Sequence, residues 1–324
     1  MTQVQAITPV GFESPRRTVD ARSTAALAAT SDPASRSALG RDAVQVTPAV
    51  PTGVPLSFAA PPAPTTRVSG QVSPGASLGV AGCPGDTGVA GAIVARSAAL
   101  AQAHQHPIVV FDLDDTLFQT APRHKAILAA WAQTPAGAPY AAAIAALPVE
   151  RISYDIGDTA KTLGIPDALV PGLKQFWADR FFTSEYVQYD TPNPGAVAYA
   201  NALQQAGAEV VYLTGRSETM GDGTEKALKA FGFPWNPQHG STALMLKATA
   251  AQHDVDFKAA ASRSIAATGT VVASIDNEPA NVNMFHDVLP EATTVLLGNV
   301  HSPNPAPLHA GIAVLAAFPT ADCP

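Results

Sequence analysis

Residues 107–118 read PIVVFDLDDTLF, and this stretch decides the fold. The unbroken apolar run before the acids is typical of a strand that is buried on both faces, as in a parallel sheet. Asp112 and Asp114 follow the run two positions apart, so in an extended chain their side chains lie on the same face. Open α/β sheets keep their ligand crevice at the carboxyl ends of the strands. Two carboxylates held this close repel each other, which indicates a bound cation or a chemical role.

The composition divides the chain of 324 residues into two unlike parts. Residues 1–106 contain no Trp, no Tyr and no Lys, and only two Phe, whereas Ala, Pro, Ser, Thr and Gly abound there. So little bulky apolar surface cannot offset the entropy that a chain loses on folding. We therefore predict a disordered arm over residues 1–88, with the folded body after it.

The charge follows the same division. Residues 1–106 carry seven Arg and five acids, and the rest of the chain carries 12 basic and 21 acidic residues. An acidic body argues against a nucleic-acid backbone as the partner. A small phosphorylated substrate remains compatible, because a bound Mg²⁺ and one or two local cations can invert the local field. The oligomeric state is not indicated.

The sequence gives only weak signals for disulfide bonds, for export and for a membrane span. Cys83 and Cys323 are the only cysteines, which favours free thiols over a disulfide framework. No run approaches the roughly 18 apolar residues of a membrane span. The pair Arg16 and Arg17 is not followed by the apolar region of an export signal. We predict a cytoplasmic protein, with an export or transit role of the arm as the alternative.

Strand and helix patterns alternate after the middle of the chain. Besides the first strand, strands are predicted over residues 209–213, 243–246, 270–275 and 293–297. Helices are predicted over residues 89–104, 194–206, 222–231, 256–267 and 279–289. This alternation implies right-handed crossovers and a parallel sheet with helices on both faces. Between residues 118 and 191 only helical segments are predicted.

Three of the predicted strands end in polar residues at the same edge of the sheet. Asp112 and Asp114 follow the first strand, Thr214 follows EVVYL, and Asp276 follows TVVASI. The carboxyl ends of parallel strands converge, whatever their separation in sequence. The pattern therefore predicts one chemical site that these residues share.

The motifs resemble those of the haloacid dehalogenase (HAD) superfamily. FDLDDTLF at residues 111–118 matches its DxDxT signature, and an apolar strand that ends in Thr214 matches its second motif. Asp276 at the end of a later strand matches its fourth motif. The resemblance covers residues 108–297 and implies an α/β fold with a Rossmann-like parallel sheet and a small inserted α-helical cap of the C1 type.

The resemblance also implies a domain organisation. The core is expected over residues 89–117 and 192–324, and the cap over residues 118–191. The substrate of a HAD enzyme is decided by its cap, and this cap carries no recognisable signature.

The resemblance implies an aspartyl-phosphate mechanism that uses Mg²⁺. Asp112 is the expected nucleophile, because a carboxylate can attack a phosphoryl group and divide hydrolysis into two easier steps. Asp114 is the expected general acid and base. Asp112, Asp276 and the main-chain carbonyl of Asp114 are the expected Mg²⁺ ligands. The Thr214 hydroxyl and the Gly215 amide are expected to donate to a phosphoryl oxygen.

The lysine of the third motif has two candidates. Lys247 directly follows an apolar strand, and Lys258 opens the helix after it. We prefer Lys258, because family members often carry a basic residue after this strand and the motif lysine about ten residues later. Such an ammonium would neutralise charge between nucleophile and phosphoryl group, although lysines are more commonly solvated. Arg216 either faces the phosphate as a substrate ligand or pairs with a nearby acid.

Asn277 stands where many family members have a second acid, and this leaves the metal site less negative. Glu278 and Asn281 are both candidates for orienting the metal ligands. Three cations closely follow the first motif and either face the site or are solvated: Arg123, His124 and Lys125. We prefer solvation, because most cap charges are solvated. We expect four aromatic residues at helical spacings to form the small core of the cap: Trp131, Phe176, Trp177 and Phe181.

We therefore predict a Mg²⁺-dependent phosphomonoester hydrolase that acts on a small phosphorylated substrate. The alternatives are a phosphotransferase or mutase of the same superfamily, and a catalytically silent binding protein with the same fold. A dehalogenase is disfavoured, since that branch lacks the second acid and Asp114 is present here.

Overall fold

The computed structural model describes residues 87–235 and 243–320. The arm predicted over residues 1–88 lies outside the described residues except for its last two, which start the first helix. Cys83 and Cys323 also lie outside them. No helix in the described ranges is long and apolar enough to cross a membrane.

Helices and strands alternate through most of the described chain. In chain order the elements are α1 Thr87–Gln102, β1 Pro107–Phe111, β2 Phe118–Gln119, α2 Ala121–Trp131, α3 Ala141–Ala146, α4 Ile156–Thr162, α5 Val170–Phe181, α6 Ser184–Val187, β3 Thr191–Pro192, α7 Ala196–Gln205, β4 Glu209–Ser217, α8 Gly221–Ala230, β5 Leu244–Lys247, α9 Asp254–Ala266, β6 Thr270–Asp276, α10 Pro279–Val288, β7 Thr293–Leu297 and β8 Ala313–Leu315.

A six-stranded parallel sheet organises the described residues, with the strand order β5-β4-β1-β6-β7-β8. β1 lies between β4 and β6, and its Phe111 pairs with Tyr212 on one side and with Ile275 on the other. Parallel neighbours end at the same edge of a sheet, so the residues after β1, β4 and β6 lie together. The predicted α/β fold with a parallel sheet is confirmed.

The central strand β1 is buried on both faces, as its apolar run predicts. Val109 and Phe111 point into one core, which α1, α7 and α8 cover. Ile108 and Val110 point into a second core on the opposite face, which α9 and α10 cover. Each fully buried side chain of this size stabilises the fold by roughly 1.5–3 kcal/mol. Burial on both faces therefore holds the end of β1 firmly in place.

The helices α2–α6, here called the cap, lie between β2 and β3. They pack around an apolar core of their own that contains Leu128, Trp131 and Leu173. β2 and β3 pair antiparallel, with Phe118 opposite Pro192, so the chain leaves and re-enters the sheet region at neighbouring points. We keep the proposed cap boundaries at residues 118 and 191, because this strand pair flanks the inserted helices.

The structure differs from the predicted elements at several places. β4 continues past Leu213 to Ser217, and its pairing with β5 shifts register between these two residues, so Thr214 lies inside the strand. The short helix α4, absent from the predicted set, begins after Asp155, whose carboxylate accepts a hydrogen bond from the Gly157 amide. The edge strand β8 is also absent from that set, because three residues are too few to show alternation.

Gly195 lies at the turn that leads into α7, and its substitution tests whether this turn requires glycine. It adopts φ +78°, and a Cβ there would overlap the carbonyl oxygens of Phe318 and Pro319. We expect Gly195→Ala to lower the free energy of unfolding by about 2 kcal/mol or more, measured by urea denaturation. Gly91→Ala is the matched control, since Gly91 lies inside α1 with open space around it. This control should raise stability by roughly 0.5–1 kcal/mol, and equal losses in both variants would contradict the prediction.

Candidate active site

Asp112 and Asp276 lie side by side because their strands are neighbours in the sheet. Asp276 is the last residue of β6, and Asp112 directly follows β1. The Asp112 amide donates to the Ile275 carbonyl at 3.0 Å, so the ladder continues as far as the acid. Both residues are buried. The sheet thus brings together two acids that are far apart in sequence.

The ammonium of Lys258 lies between these two carboxylates. Its Nζ donates to Asp112 Oδ1 and to Asp276 Oδ2, each at 2.7 Å. The residue belongs to α9 and is 1% exposed. A charge this deeply buried is tolerated only when it is paired and hydrogen-bonded. One ammonium group is therefore shared by the two acidic side chains.

Lys247, the other candidate for the motif lysine, contacts different residues. Its Nζ donates to Asp254 Oδ1 at 2.6 Å and to the Gln252 carbonyl at 3.0 Å. It therefore stabilises the turn that leads into α9. We keep Lys258 as the proposed motif lysine, because Lys258 is the one that contacts Asp112.

Asn281 orients the carboxylate of Asp276. Its Nδ2 lies 3.2 Å from Asp276 Oδ1 and 3.0 Å from Oδ2, and the Glu278 amide donates to Oδ1 at 2.8 Å. The carboxylate of Glu278 does not contact Asp276 and instead accepts hydrogen bonds from the amide and hydroxyl of Ser302. Of the two residues left open by the sequence, Asn281 supports the acid through its side chain and Glu278 through its backbone.

Asn277 joins the end of β6 to the first motif. The Thr116 hydroxyl donates to Asn277 Oδ1 and accepts from the Asn277 amide, both at 3.0 Å. Asn277 Nδ2 donates to the Val300 carbonyl at 2.6 Å. An ionised acid has no hydrogen to donate, so this contact requires an amide at position 277.

Asp114 forms ion pairs with two buried arginines. Arg216 Nη2 lies 2.6 Å and Arg123 Nη2 2.9 Å from Asp114 Oδ1. Arg216 also donates to Asp190 and to Thr224, so its guanidinium is engaged by these residues. The structure shows the second alternative for Arg216, pairing with acids, and we no longer assign Arg216 to phosphate binding. The expectation that Arg123 is solvated is wrong, because Arg123 is 0% exposed.

The two cap residues after Arg123 have separate roles. Lys125 Nζ donates to main-chain carbonyls at the end of α3, including that of Ala145 at 3.1 Å. His124 is buried and stacks on Trp177, with ring centroids 5.5 Å apart. His124 is not solvated as the sequence predicts, because the aromatic residues of the cap surround it, whereas Lys125 is partly exposed.

Thr214 and Gly215 reach the same cavity from β4. Thr214 is buried, and its Oγ1 accepts a hydrogen bond from the Arg216 amide at 3.2 Å. A hydroxyl that accepts one bond still has its own hydrogen to donate. A Cβ on Gly215 would overlap the carboxylate of Asp254, so glycine lets the backbone pass close to the start of α9.

The cavity has a volume of about 250 Å³ and a polar floor beneath an aromatic wall. The floor consists of polar residues that include Asp112 and Asp114 after β1 and Lys258 of α9. The wall comes from the cap and consists of His124, Tyr154, Trp177, Phe181 and Phe182.

Only part of the predicted aromatic core is buried inside the cap. Trp131 is 3% exposed and packs there, as expected. Trp177 and Phe181 line the cavity, and their rings stack with centroids 4.6 Å apart. Helical spacing cannot distinguish a core-facing position from one that faces a cavity.

The pKa values of the two acids of the first motif are shifted in opposite directions. Burial raises the pKa of Asp112 to about 8, against the lowering effect of the Lys258 charge. Burial alone would also raise the pKa of Asp114, but the charges of Arg216 and Arg123 outweigh it and hold that pKa well below its usual range. Burial and the charge of Arg123 lower the pKa of His124 to about 4, so this ring is neutral at neutral pH.

Asp190 is the residue that the sequence reasoning missed. It is 1% exposed, directly precedes β3, and accepts hydrogen bonds from Arg123 Nε and Arg216 Nη2, both at 2.7 Å. No motif marks it in the sequence. The buried arginines would have been the signal, since a buried charge needs a partner, but their burial follows only from the tertiary structure.

The donor set fits a hard cation in part. Within residues 87–235 and 243–320, no group of three or more His, Cys, Asp or Glu side chains is arranged to hold a metal ion. The carboxyl groups of Asp112 and Asp276 are adjacent and share the Lys258 ammonium. The side chain of Asp114 is occupied by its arginines, so this residue can contribute only its main-chain carbonyl. Oxygen donors of this kind suit Mg²⁺, with water to complete the shell.

Comparison with protein-family models gives a match to part of this chain. A family model described as HAD superfamily, subfamily IIIB (acid phosphatase) matches residues 167–278, which is less than half of the chain. Thr214, Lys258 and Asp276 lie inside the match. Over this segment the chain resembles the HAD acid phosphatases of that family. No curated protein sequence matches the chain.

Solved structures of low sequence identity resemble this chain. The class C acid phosphatase from Bacillus anthracis is 15% identical, with 60% of this chain and 65% of that chain covered and a TM-score of 0.32. Protein Tyrosine Kinase A from Mycobacterium tuberculosis is 16% identical, with 66% and 94% covered and a TM-score of 0.44. A hydrolase from Pseudomonas syringae is 18% identical, with 59% and 84% covered and a TM-score of 0.34. The match thus spans slightly less than two thirds of the Bacillus anthracis protein, and scores this low carry no functional conclusion.

Removal of Lys258 should cost more stability than removal of Lys247. Lys258→Met leaves the buried carboxylate of Asp276 without its ammonium partner, so we expect the free energy of unfolding at neutral pH to fall by about 3–5 kcal/mol. Lys247→Met is the matched control and should cost about 1 kcal/mol, because its partner Asp254 is half exposed. Urea denaturation of both variants measures the difference, and equal losses would show that Lys258 is not the central cation.

The raised pKa of Asp112 predicts a pH dependence of stability. Between 3.8, the ordinary value, and about 8, the folded chain binds more protons at Asp112 than the unfolded chain does. The contribution of Asp112 is therefore full below 3.8 and is lost as the pH rises toward 8. In EDTA, we expect the stability of wild type relative to Asp112→Asn to fall as the pH rises through this window. Denaturant titrations at several pH values test this, and a relative stability that rises with pH would contradict it.

Proposed function

We propose that this protein is a Mg²⁺-dependent phosphomonoester hydrolase of the HAD superfamily that works through an aspartyl-phosphate on Asp112. The observation that carries the proposal is the Lys258 ammonium, 2.7 Å from both Asp112 and Asp276, at the floor of a cavity. Such an arrangement makes a buried carboxylate available beside fixed positive charge. A nucleophile that attacks an anionic phosphoryl group needs this charge.

In the first step, a carboxylate oxygen of Asp112 attacks phosphorus, and the bond between phosphorus and the ester oxygen breaks. The Thr214 hydroxyl and the Gly215 amide are placed at the cavity to donate to the phosphoryl oxygens. In the absence of substrate two arginines keep Asp114 ionised. The arrival of a phosphate dianion raises the proton affinity of Asp114, which takes up a proton from solvent and gives it to the leaving oxygen.

In the second step, water attacks the phosphorus of the aspartyl-phosphate and gives a proton to Asp114. The bond between phosphorus and the Asp112 oxygen breaks, which releases inorganic phosphate and restores the carboxylate. The ionised state of Asp114 in this structure is the one that a base requires. Lys258 holds Asp112 in place through both steps by its contacts on either side.

The proposed Mg²⁺ would be held by Asp112, Asp276 and the main-chain carbonyl of Asp114. When bound, it supplies positive charge between the anionic nucleophile and the anionic substrate. Asn281 contributes by fixing both oxygens of Asp276, so that the carboxylate keeps one orientation. HAD phosphatases in general use a divalent metal, and the choice of Mg²⁺ is part of this proposal.

A small phosphorylated substrate fits the shape of the cavity. The polar floor receives the phosphoryl group, and the aromatic wall of the cap faces the rest of the molecule. The wall includes Phe182, which is 45% exposed, and Tyr154, which is 43% exposed. Exposed aromatic faces favour an apolar or planar leaving group over a highly charged one. The cytoplasmic location predicted from the sequence remains part of the proposal.

Hydrolysis of phenyl phosphate tests the proposal. We expect turnover that EDTA abolishes and Mg²⁺ restores, and we expect Asp112→Asn to lower kcat by at least about 10³-fold. Asp158→Asn is the matched control, since Asp158 lies on the surface of the cap and pairs with Lys161. An acid-quenched reaction should show phosphate covalently attached to the peptide that contains Asp112, detected by mass spectrometry. Activity that survives both EDTA and Asp112→Asn would overturn the mechanism.

A further inference from the structure

Four buried or partly buried charged side chains lie beside the nucleophile and form what is here called the charge cluster: Asp114, Arg123, Asp190 and Arg216. Asp114 follows β1, Arg216 lies in β4, Arg123 lies in α2 of the cap, and Asp190 precedes β3. The side chains of Arg123, Asp190 and Arg216 are at most 1% exposed, and that of Asp114 is 31% exposed. Asp114 is therefore the member of the cluster that opens to the cavity.

We propose that Asp190 is a positioning residue that acts through Arg123 and Arg216 to fix the carboxylate of Asp114 for proton transfer. The inference rests on the proposed function, because it concerns the acid and base of that reaction. It assigns to the cap a direct part in the chemistry, in addition to its contact with the substrate. Asp190 itself does not line the cavity, and its carboxylate accepts hydrogen bonds from Arg123 and Arg216.

The hydrogen bonds onto Asp114 define one orientation of its carboxylate. Oδ1 accepts from Arg216 Nη2 at 2.6 Å, from Arg123 Nη2 at 2.9 Å and from Arg216 Nε at 3.2 Å. Oδ2 accepts from Arg216 Nε at 3.2 Å. The planar guanidinium of Arg216 spans both oxygens, which locks the rotation of the carboxylate. The fuller engagement of Oδ1 makes Oδ2 the oxygen that exchanges the proton.

Asp190 holds both arginines in the positions that this orientation needs. Its Oδ1 accepts from Arg123 Nε at 2.7 Å, its Oδ2 accepts from Arg216 Nη2 at 2.7 Å, and Oδ2 also accepts from Arg123 Nη2. The same nitrogen of each arginine, Nη2, contacts Asp190 and Asp114. Each arginine thus bridges the carboxylates of Asp190 and Asp114. A movement of the Asp190 side chain therefore moves the groups that donate hydrogen bonds to Asp114.

Charge balance explains why a second carboxylate is required. Two buried guanidinium groups beside one partly exposed acid would leave an uncompensated positive charge, which is costly to bury. Asp190 supplies the missing negative charge, and the cluster contains two charges of each sign. Every buried side-chain nitrogen and oxygen atom in the described part of the chain has a hydrogen-bond partner. The cluster therefore forms a complete network, and removal of one member disturbs the others.

Further contacts anchor the arginines at their outer sides. Arg123 donates to the Phe181 carbonyl at 3.2 Å and lies over the Phe181 ring, 4.4 Å from its centroid. Arg216 Nη1 donates to the Thr224 hydroxyl at 3.0 Å. Phe181 belongs to the aromatic wall, so the surface that faces the substrate and the residue that holds Asp114 share one arginine.

A substrate pair separates positioning from a general structural role. Phenyl phosphate needs a proton on its leaving oxygen, whereas 2,4-dinitrophenyl phosphate has a leaving group that is stable as the anion. We expect Asp190→Asn to lower kcat for phenyl phosphate by about 10²-fold, with KM little changed. The loss for the dinitrophenyl ester should be less than about tenfold. Equal losses on both esters would overturn the proposal, because misfolding or altered binding affects both alike.

A double-variant cycle provides the second test. If Asp190 acts through Asp114, Asp114→Asn combined with Asp190→Asn should be no slower on phenyl phosphate than Asp114→Asn alone. Additive losses would show that Asp190 acts elsewhere and would overturn the proposal. Arg123→Lys keeps the charge but loses the planar fork, and it should show the same selective loss. This variant decides the question if Asp190→Asn does not fold, as judged by its circular dichroism melt.

The controls separate this inference from the proposed function. Lys125→Met removes the neighbouring cap cation, which contacts only main-chain carbonyls of the cap, and it should leave both esters unaffected apart from stability. If wild type has no phosphatase activity, or if Asp112→Asn is fully active, the proposed function fails. If wild type is active, Asp112→Asn is inactive and Asp190→Asn equals wild type, only the positioning role fails.

Discussion

The site depends on one buried ammonium group between two buried carboxylates. Asp112 and Asp276 lie at the ends of adjacent parallel strands, so the sheet brings them together. The Lys258 ammonium donates a hydrogen bond to each of them and reduces their repulsion. Repulsion between two desolvated carboxylates would otherwise open the edge of the sheet.

A second electrostatic unit ties the cap to the sheet. Arg123 of the cap and Arg216 of β4 each form ion pairs with Asp114 and Asp190. Charges from the cap and from the sheet thus meet beneath the aromatic wall. A cap held only by apolar contacts could slide without affecting the acid. Here the position of the cap and the orientation of Asp114 are linked through hydrogen bonds of defined direction. The arrangement joins the part that faces the leaving group to the residue that would protonate it.

The fold was largely predictable, because its signal is local. The strand at residues 108–111 has an unbroken apolar run, and the structure buries alternate residues of it in two separate cores. The position of Thr214 inside β4 was not predictable from the apolar pattern, since the strand continues through polar residues after its register shift. For Trp177 and Phe181, helical spacing identified apolar positions, but not whether a cavity or a core lies beneath them.

The sequence predicted the parallel α/β architecture and the meeting of Asp112 with Thr214 and Asp276, because alternating strands and helices and the strand ends follow from periodicity; the preference for Lys258 came from the resemblance to the HAD superfamily. The strand order was not predicted. Only the tertiary structure decided that Lys258 reaches both acids, that Asn281 orients Asp276, and that Arg216 pairs with Asp114. The role of Asp190 was invisible in the sequence. A buried charge is recognised by the partners that surround it, and those partners come from distant segments that meet only when the chain has folded.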